Sequence, residues 1–148
     1  MLSLVKYDDE FLELSWFWLN DLEIKNLTMT PDFTREQQKN FYNTLGARGD
    51  YKIYGVVYDG HKIGAAGIKN IEGTTGEYWG YIGDKSYWGR GIGTTLIKEI
   101  IQVAQRDGMK KLTLKVFSTN QRAFFLYKKC GFVVDGLDNG IYKMYIGV

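Results

Sequence analysis

A chain of 148 residues with 45% apolar and 24% charged side chains has the balance of one folded domain, 1–148. That balance excludes a disordered polymer, and no apolar run reaches the length of a membrane span. The net charge of +2 comes without a block of like charge, which argues against nucleic acid as a main partner. One cysteine (Cys130) and one histidine (His61) leave no intramolecular disulfide and no Cys/His metal site.

Met1–Lys6 lacks the basic, apolar and small-residue regions of a signal peptide, so a cytoplasmic protein is expected. Apolar residues between Asp8 and Leu22 recur at helical spacing, with Phe11, Leu12, Leu14, Trp16, Phe17, Trp18 and Leu19 on a wide face. Asn26–Asp32, around Pro31, reads as a loop. Thr34-Arg35-Glu36-Gln37 is a capping box and opens a second helix that stops near Gly46.

The middle of the chain reads as β-structure. Tyr51–Tyr58 is rich in aromatic and β-branched residues, and Asp59-Gly60 is a tight-turn signal. Lys62–Ile71 returns as a second strand. After the Gly73–Gly76 turn, Glu77–Ile82 makes a third, completing an antiparallel meander. A loop of Gly, Asp, Ser and aromatic residues follows. From Gly91 a helix with Ile92, Leu96, Ile100, Val103 and Ala104 in one stripe runs to about Arg106 and ends at Gly108. Lys111–Phe117 alternates as a strand. Asn120 caps a helix that Gly131 ends, and two short strands close the chain. A meander followed by a strand–helix–strand unit predicts an α/β (α+β) mixed sheet with helices on both faces.

Trp88-Gly89-Arg90-Gly91-Ile92-Gly93-Thr94 stands where a loop feeds a helix. Glycines let the backbone approach a ligand, and the unpaired first N–H groups of the helix suit a phosphate or diphosphate. A bend serving only helix–sheet packing fits the same residues. No Gly-Lys-Ser/Thr follows as in a Walker loop. The preceding antiparallel strand, and the lack of an acid about twenty residues on, also disfavour a dinucleotide fingerprint.

Three segments together, Tyr87–Thr94, Asn120–Ala123 and Phe125–Phe132, resemble the GNAT superfamily of acyl-CoA N-acyltransferases. The first is similar to its diphosphate motif, with Trp88 where Gln or Arg is usual. That variant resembles the branch of ribosomal-protein alanine acetyltransferases and related small-molecule enzymes. The other two segments resemble its Asn-x-x-Ala-x-x-x-Tyr-x-x-x-Gly-Phe pattern. The inferred element order agrees from Tyr51 onward.

The resemblance implies transfer of acetyl from acetyl-CoA to a primary amine of a small molecule (an amino sugar among them) or a peptide N-terminus. No metal, membrane or nucleic-acid partner is expected from the composition and charge above, and the resemblance is compatible with a homodimer. By motif position, Tyr81, Ile82 and Gly83 would pair with the pantetheine arm. The N–H groups of Gly89, Arg90, Gly91, Ile92, Gly93 and Thr94 would hold the diphosphate, and Trp88 would flank them. Asn120 would bond the pantetheine or serve as a helix cap only. Tyr127, a phenol with a pKa of about 10, would protonate the leaving thiolate, or stand as a core tyrosine. Glu77 is the candidate base, with Glu72 behind it; a strand-start acid without a role is the other reading. A binding module that keeps the acyl-CoA cleft without catalysis is the alternative function.

Overall fold

The computed structural model describes residues 1–148. Its element order is β1 (Leu2–Lys6), α1 (Asp9–Asn20), α2 (Leu22–Leu27), α3 (Arg35–Thr44), β2 (Lys52–Tyr58), β3 (His61–Glu72), β4 (Thr75–Ile82), α4 (Ile92–Arg106), β5 (Lys111–Phe117), α5 (Gln121–Lys129), β6 (Val133–Asp138) and β7 (Ile141–Gly147). The seven strands form one sheet in the order β1-β2-β3-β4-β5-β7-β6. Every neighbouring pair is antiparallel except β4 and β5. This is the mixed sheet that the strand–helix–strand pattern predicts. No helix is long and apolar enough to cross a membrane.

One sheet face carries the main core. Ile92, Leu96, Ile97, Ile100, Val103 and Ala104 of α4 are buried against Val56, Ala66, Ile68, Leu112, Leu114 and Met144. The other face holds a smaller cluster in which Tyr7, Phe11 and Ala65 are buried beneath α1. Ser15, only 1% exposed, lies on this face. Its Oγ accepts the Tyr7 hydroxyl at 2.8 Å and the Tyr81 hydroxyl at 3.1 Å. Ser15→Ala strands both phenols, and an unmet buried hydroxyl costs about 1–3 kcal/mol. The expected result is a lower chemical-denaturation midpoint with an unchanged slope.

The first helical stretch differs from expectation. It breaks at Asp21, whose extended backbone ends α1 and whose carboxylate accepts the Ile24 N–H as the cap of α2. A side chain able to bond nearby backbone interrupts a helix that apolar spacing alone would continue. α2 thus occupies part of the segment read as loop, and Phe17 turns outward at 61% exposed. The Thr34–Gln37 capping box forms in both directions.

Candidate active site

β4 and β5 are paired only through Thr75–Lys111, Gly76–Leu112 and Glu77–Thr113, and then splay apart. The Gly83 N–H is bonded to the Ile63 carbonyl at 2.7 Å. By strand alternation the backbone groups of Tyr81 and Trp79 also face β3, while those of Tyr78, Gly80 and Ile82 face the gap. The gap corrects one expectation. Of Tyr81, Ile82 and Gly83, only Ile82 has backbone free on the open side, because the amides of the other two are used within the sheet. Gly80, which the motif reading omitted, belongs with Ile82. One lone pair of the Ile82 carbonyl accepts the Trp88 indole N–H at 2.8 Å.

The gap opens into a cleft of about 540 Å³. Its floor is the free side of β4, with Tyr78, Gly80 and Ile82; one wall is Gly89, Gly91, Ile92 and Gly93; the other is Asn120, Arg122, Ala123, Leu126 and Tyr127. Ile24 and Leu27 of α2 and Thr28, which follows it, line it as well. The sequence reading did not anticipate this contribution, since it assigned Asn26–Asp32 to a loop.

Gly89 and Gly91 have φ of +77° and +75°, conformations costly for any residue with a Cβ. They turn the chain so that α4 begins facing the cleft. α4 has no side-chain cap and no acid in its first turn. The N–H groups of Ile92, Gly93 and Thr94 therefore have no intrahelical partner, and the positive end of the helix dipole is uncompensated.

Two arginines stand beside this turn and are placed differently. Arg90 lies over the Tyr87 ring at 4.9 Å and does not line the cleft. Arg122, which does, has a guanidinium nitrogen 3.4 Å from where a Gly89 Cβ would stand, so it lies against the glycine turn. Asn120 Oδ1 accepts the Ala123 N–H at 3.2 Å and so caps α5, leaving its amide nitrogen available. The cap reading holds for one end of the side chain without consuming the other.

The Tyr127 ring meets Tyr78 at 6.2 Å and Phe132 at 6.0 Å. Burial, with a smaller contribution from Cys130, pushes its pKa up to about 12, above the free-phenol value assumed from sequence. The phenol is thus held as a neutral donor. The same burial raises the Cys130 thiol, which stays protonated at neutral pH.

Glu77 does not line this cleft. It extends from the opposite face of β4 at the last residue pair before the splay, where Asn70 Nδ2 donates to it at 3.2 Å and Lys69 Nζ stands 3.8 Å away. Glu72 is exposed at the end of β3.

Comparison with known proteins agrees with this geometry. Residues 14–132 match the acetyltransferase (GNAT) family. A probable spermine N(1)-acetyltransferase of Bacillus subtilis subsp. natto is 32% identical over 94 residues, 58% of this chain and 62% of that protein. The match thus spans less than two thirds of that relative. A probable glucosamine 6-phosphate N-acetyltransferase 2 of rice is 28% identical over 130 residues, 80% of this chain and 76% of the relative. In structure, a spermidine N-acetyltransferase from Vibrio cholerae, solved with CoA and spermine, superposes with a TM-score of 0.90 at 22% identity, covering 99% of this chain and 95% of the other. With its glycine turn, splayed strands and Asn120–Tyr127 helix in the order that family requires, the chain belongs to the GNAT family of acetyltransferases.

Proposed function

We propose that the protein is an acetyl-CoA-dependent N-acetyltransferase acting on a primary amine of a small molecule. The observation that carries this reading is that one cleft is bounded at once by an uncapped helix N-terminus, a free strand edge, and a buried phenol. A thioester-linked acetyl group brings an activated carbonyl, so an amine attacks it directly and no protein nucleophile is required.

In this reading the amides of Ile92, Gly93 and Thr94, with the guanidinium of Arg122, hold the diphosphate. The backbone of Gly80 and Ile82 pairs with the pantetheine amides as an added strand pairs with a sheet edge. The Asn120 amide nitrogen supplies one more donor. Glu77, directly or through a water, takes the proton that the amine nitrogen loses as its bond to the carbonyl carbon forms. Tyr127 gives its proton to the sulfur as the C–S bond breaks.

Purified protein, acetyl-CoA and an amine panel with a thiol-detecting reagent test the reading. Steady thiol release that depends on an amine supports it, and calorimetric binding without release supports the non-catalytic alternative. The pH profile gives a second check. A pKa raised to about 12 leaves Tyr127 protonated, so no alkaline fall in kcat is expected from this group below about pH 10. Arg122→Ala should weaken acetyl-CoA binding about tenfold, the size of one charge-assisted hydrogen bond. It should leave turnover at saturating cofactor near the parent value, as isothermal titration beside initial rates would show.

A further inference from the structure

The face of β4 turned away from the cofactor cleft carries a surface that the cleft chemistry does not use. Trp18, Tyr81, Trp79, Tyr51 and Phe41 stand in an unbroken row, with successive ring centroids 6.2, 6.4, 5.9 and 5.1 Å apart. These rings are only half-buried. Glu77 projects from the same face as Trp79, and after burial and Tyr7 its carboxylate helps to push the Tyr51 phenol up, against the lowering effect of Arg48. The carboxylate assigned here as the base thus flanks the middle of the row, beside Trp79. Trp79 adds a polar atom to the row: its indole Nε1 is buried and has no hydrogen-bond partner in the chain.

Charge decides which amine suits this surface. A polyamine needs several free carboxylates spaced along its length. Most carboxylates of α1 and of the turn before β2 are committed elsewhere: Asp8 caps α1, Glu10 pairs with Lys62, Glu13 with Arg35, and Asp50 with Arg48. Near α2, Asp21 and Glu23 share Lys85. Glu77 is the carboxylate that β4 itself places on the face of the rings; Lys69 stands 3.8 Å from it, and the Arg48 guanidinium lies 5.1 Å from the Tyr51 ring centroid. What the surface offers in quantity is flat apolar area, which binds a ring by stacking.

Resting on the acetyl-transfer reading, we infer that the acceptor is a monoamine built on a ring with a flat apolar face, which lies across Tyr51 and Trp79 and presents its nitrogen to Glu77. An aromatic ring and the apolar face of a sugar share that chemistry, and both are distinct from the polyamines named for some relatives of this chain.

The test compares 2-phenylethylamine, glucosamine and spermidine as acceptors at saturating acetyl-CoA. At least one ring amine is expected to exceed spermidine in kcat/KM by tenfold or more, and which one identifies the ring type. Spermidine preferred over both ring amines would overturn the inference, and the wild-type protein alone gives that answer. Tyr51→Ala should raise the KM of the preferred ring amine about three- to tenfold without weakening acetyl-CoA binding, while Tyr51→Phe should restore the parent KM. An unchanged KM in folded Tyr51→Ala would also overturn it. No thiol release with any amine, despite calorimetric binding of acetyl-CoA, would instead strike the transfer reading itself and this inference with it.

Discussion

Tyr127→Phe is expected to lower kcat by about 10²- to 10⁴-fold while changing the affinity for acetyl-CoA little. Positioned proton transfer contributes that much to a rate, and only the hydroxyl is removed. The ring contacts with Tyr78 and Phe132 do not depend on the oxygen, so the helix should stay seated. Burial raises the Tyr127 pKa, and no hydrogen bond within the chain offsets that shift. The hydroxyl therefore has no structural bond to lose, and a large kinetic effect without a stability effect follows. The measurement is initial rate against amine concentration at saturating acetyl-CoA, beside calorimetric titration of the cofactor. Equal losses in rate and affinity would assign Tyr127 to packing.

Phe132→Ala should have the reverse signature. Phe132 is 1% exposed, among the large side chains that the fold buries almost completely. It follows the Gly131 turn and packs its ring against Tyr127. Truncating a buried phenylalanine costs about 3–5 kcal/mol through lost transfer energy and the cavity left behind. In a chain of this size that lowers the thermal midpoint by roughly 10 °C. Calorimetric melting of the two variants should thus separate the motif into a chemical half and a packing half. A Phe132→Ala midpoint within a degree or two of the parent would show that the site collapses around the loss, against the burial seen here.

The parts of the site that local chemistry specifies were legible in the chain. The glycine turn announced the uncapped start of α4, since a Gly-x-Gly before an apolar stripe leaves helix amides unmet. Asn120 announced the start of α5 by its capping chemistry, and the Thr34 capping box was as plain. The sequence did not single out the Arg122 side chain over that of Arg90. Both stand beside the motif, and only packing shows that Arg90 stacks on Tyr87 while Arg122 reaches Gly89. α2 was missed because a six-residue helix capped by Asp21 has too few turns to show a period.

Taken by itself, the sequence determined the element order from Tyr51 onward and the family, and it named the residues proposed here to hold a diphosphate and donate a proton. Those properties reside in short-range spacing, turn chemistry and caps, which act within a few residues. The tertiary structure alone decided which backbone edge is open, which arginine reaches the glycine turn, and that Glu77 and Tyr127 stand on opposite faces of the sheet. It also decided that the aromatic rings align. These depend on where β4 parts from β5 after Glu77 and Thr113, and that point is set by the packing of whole helices against the sheet.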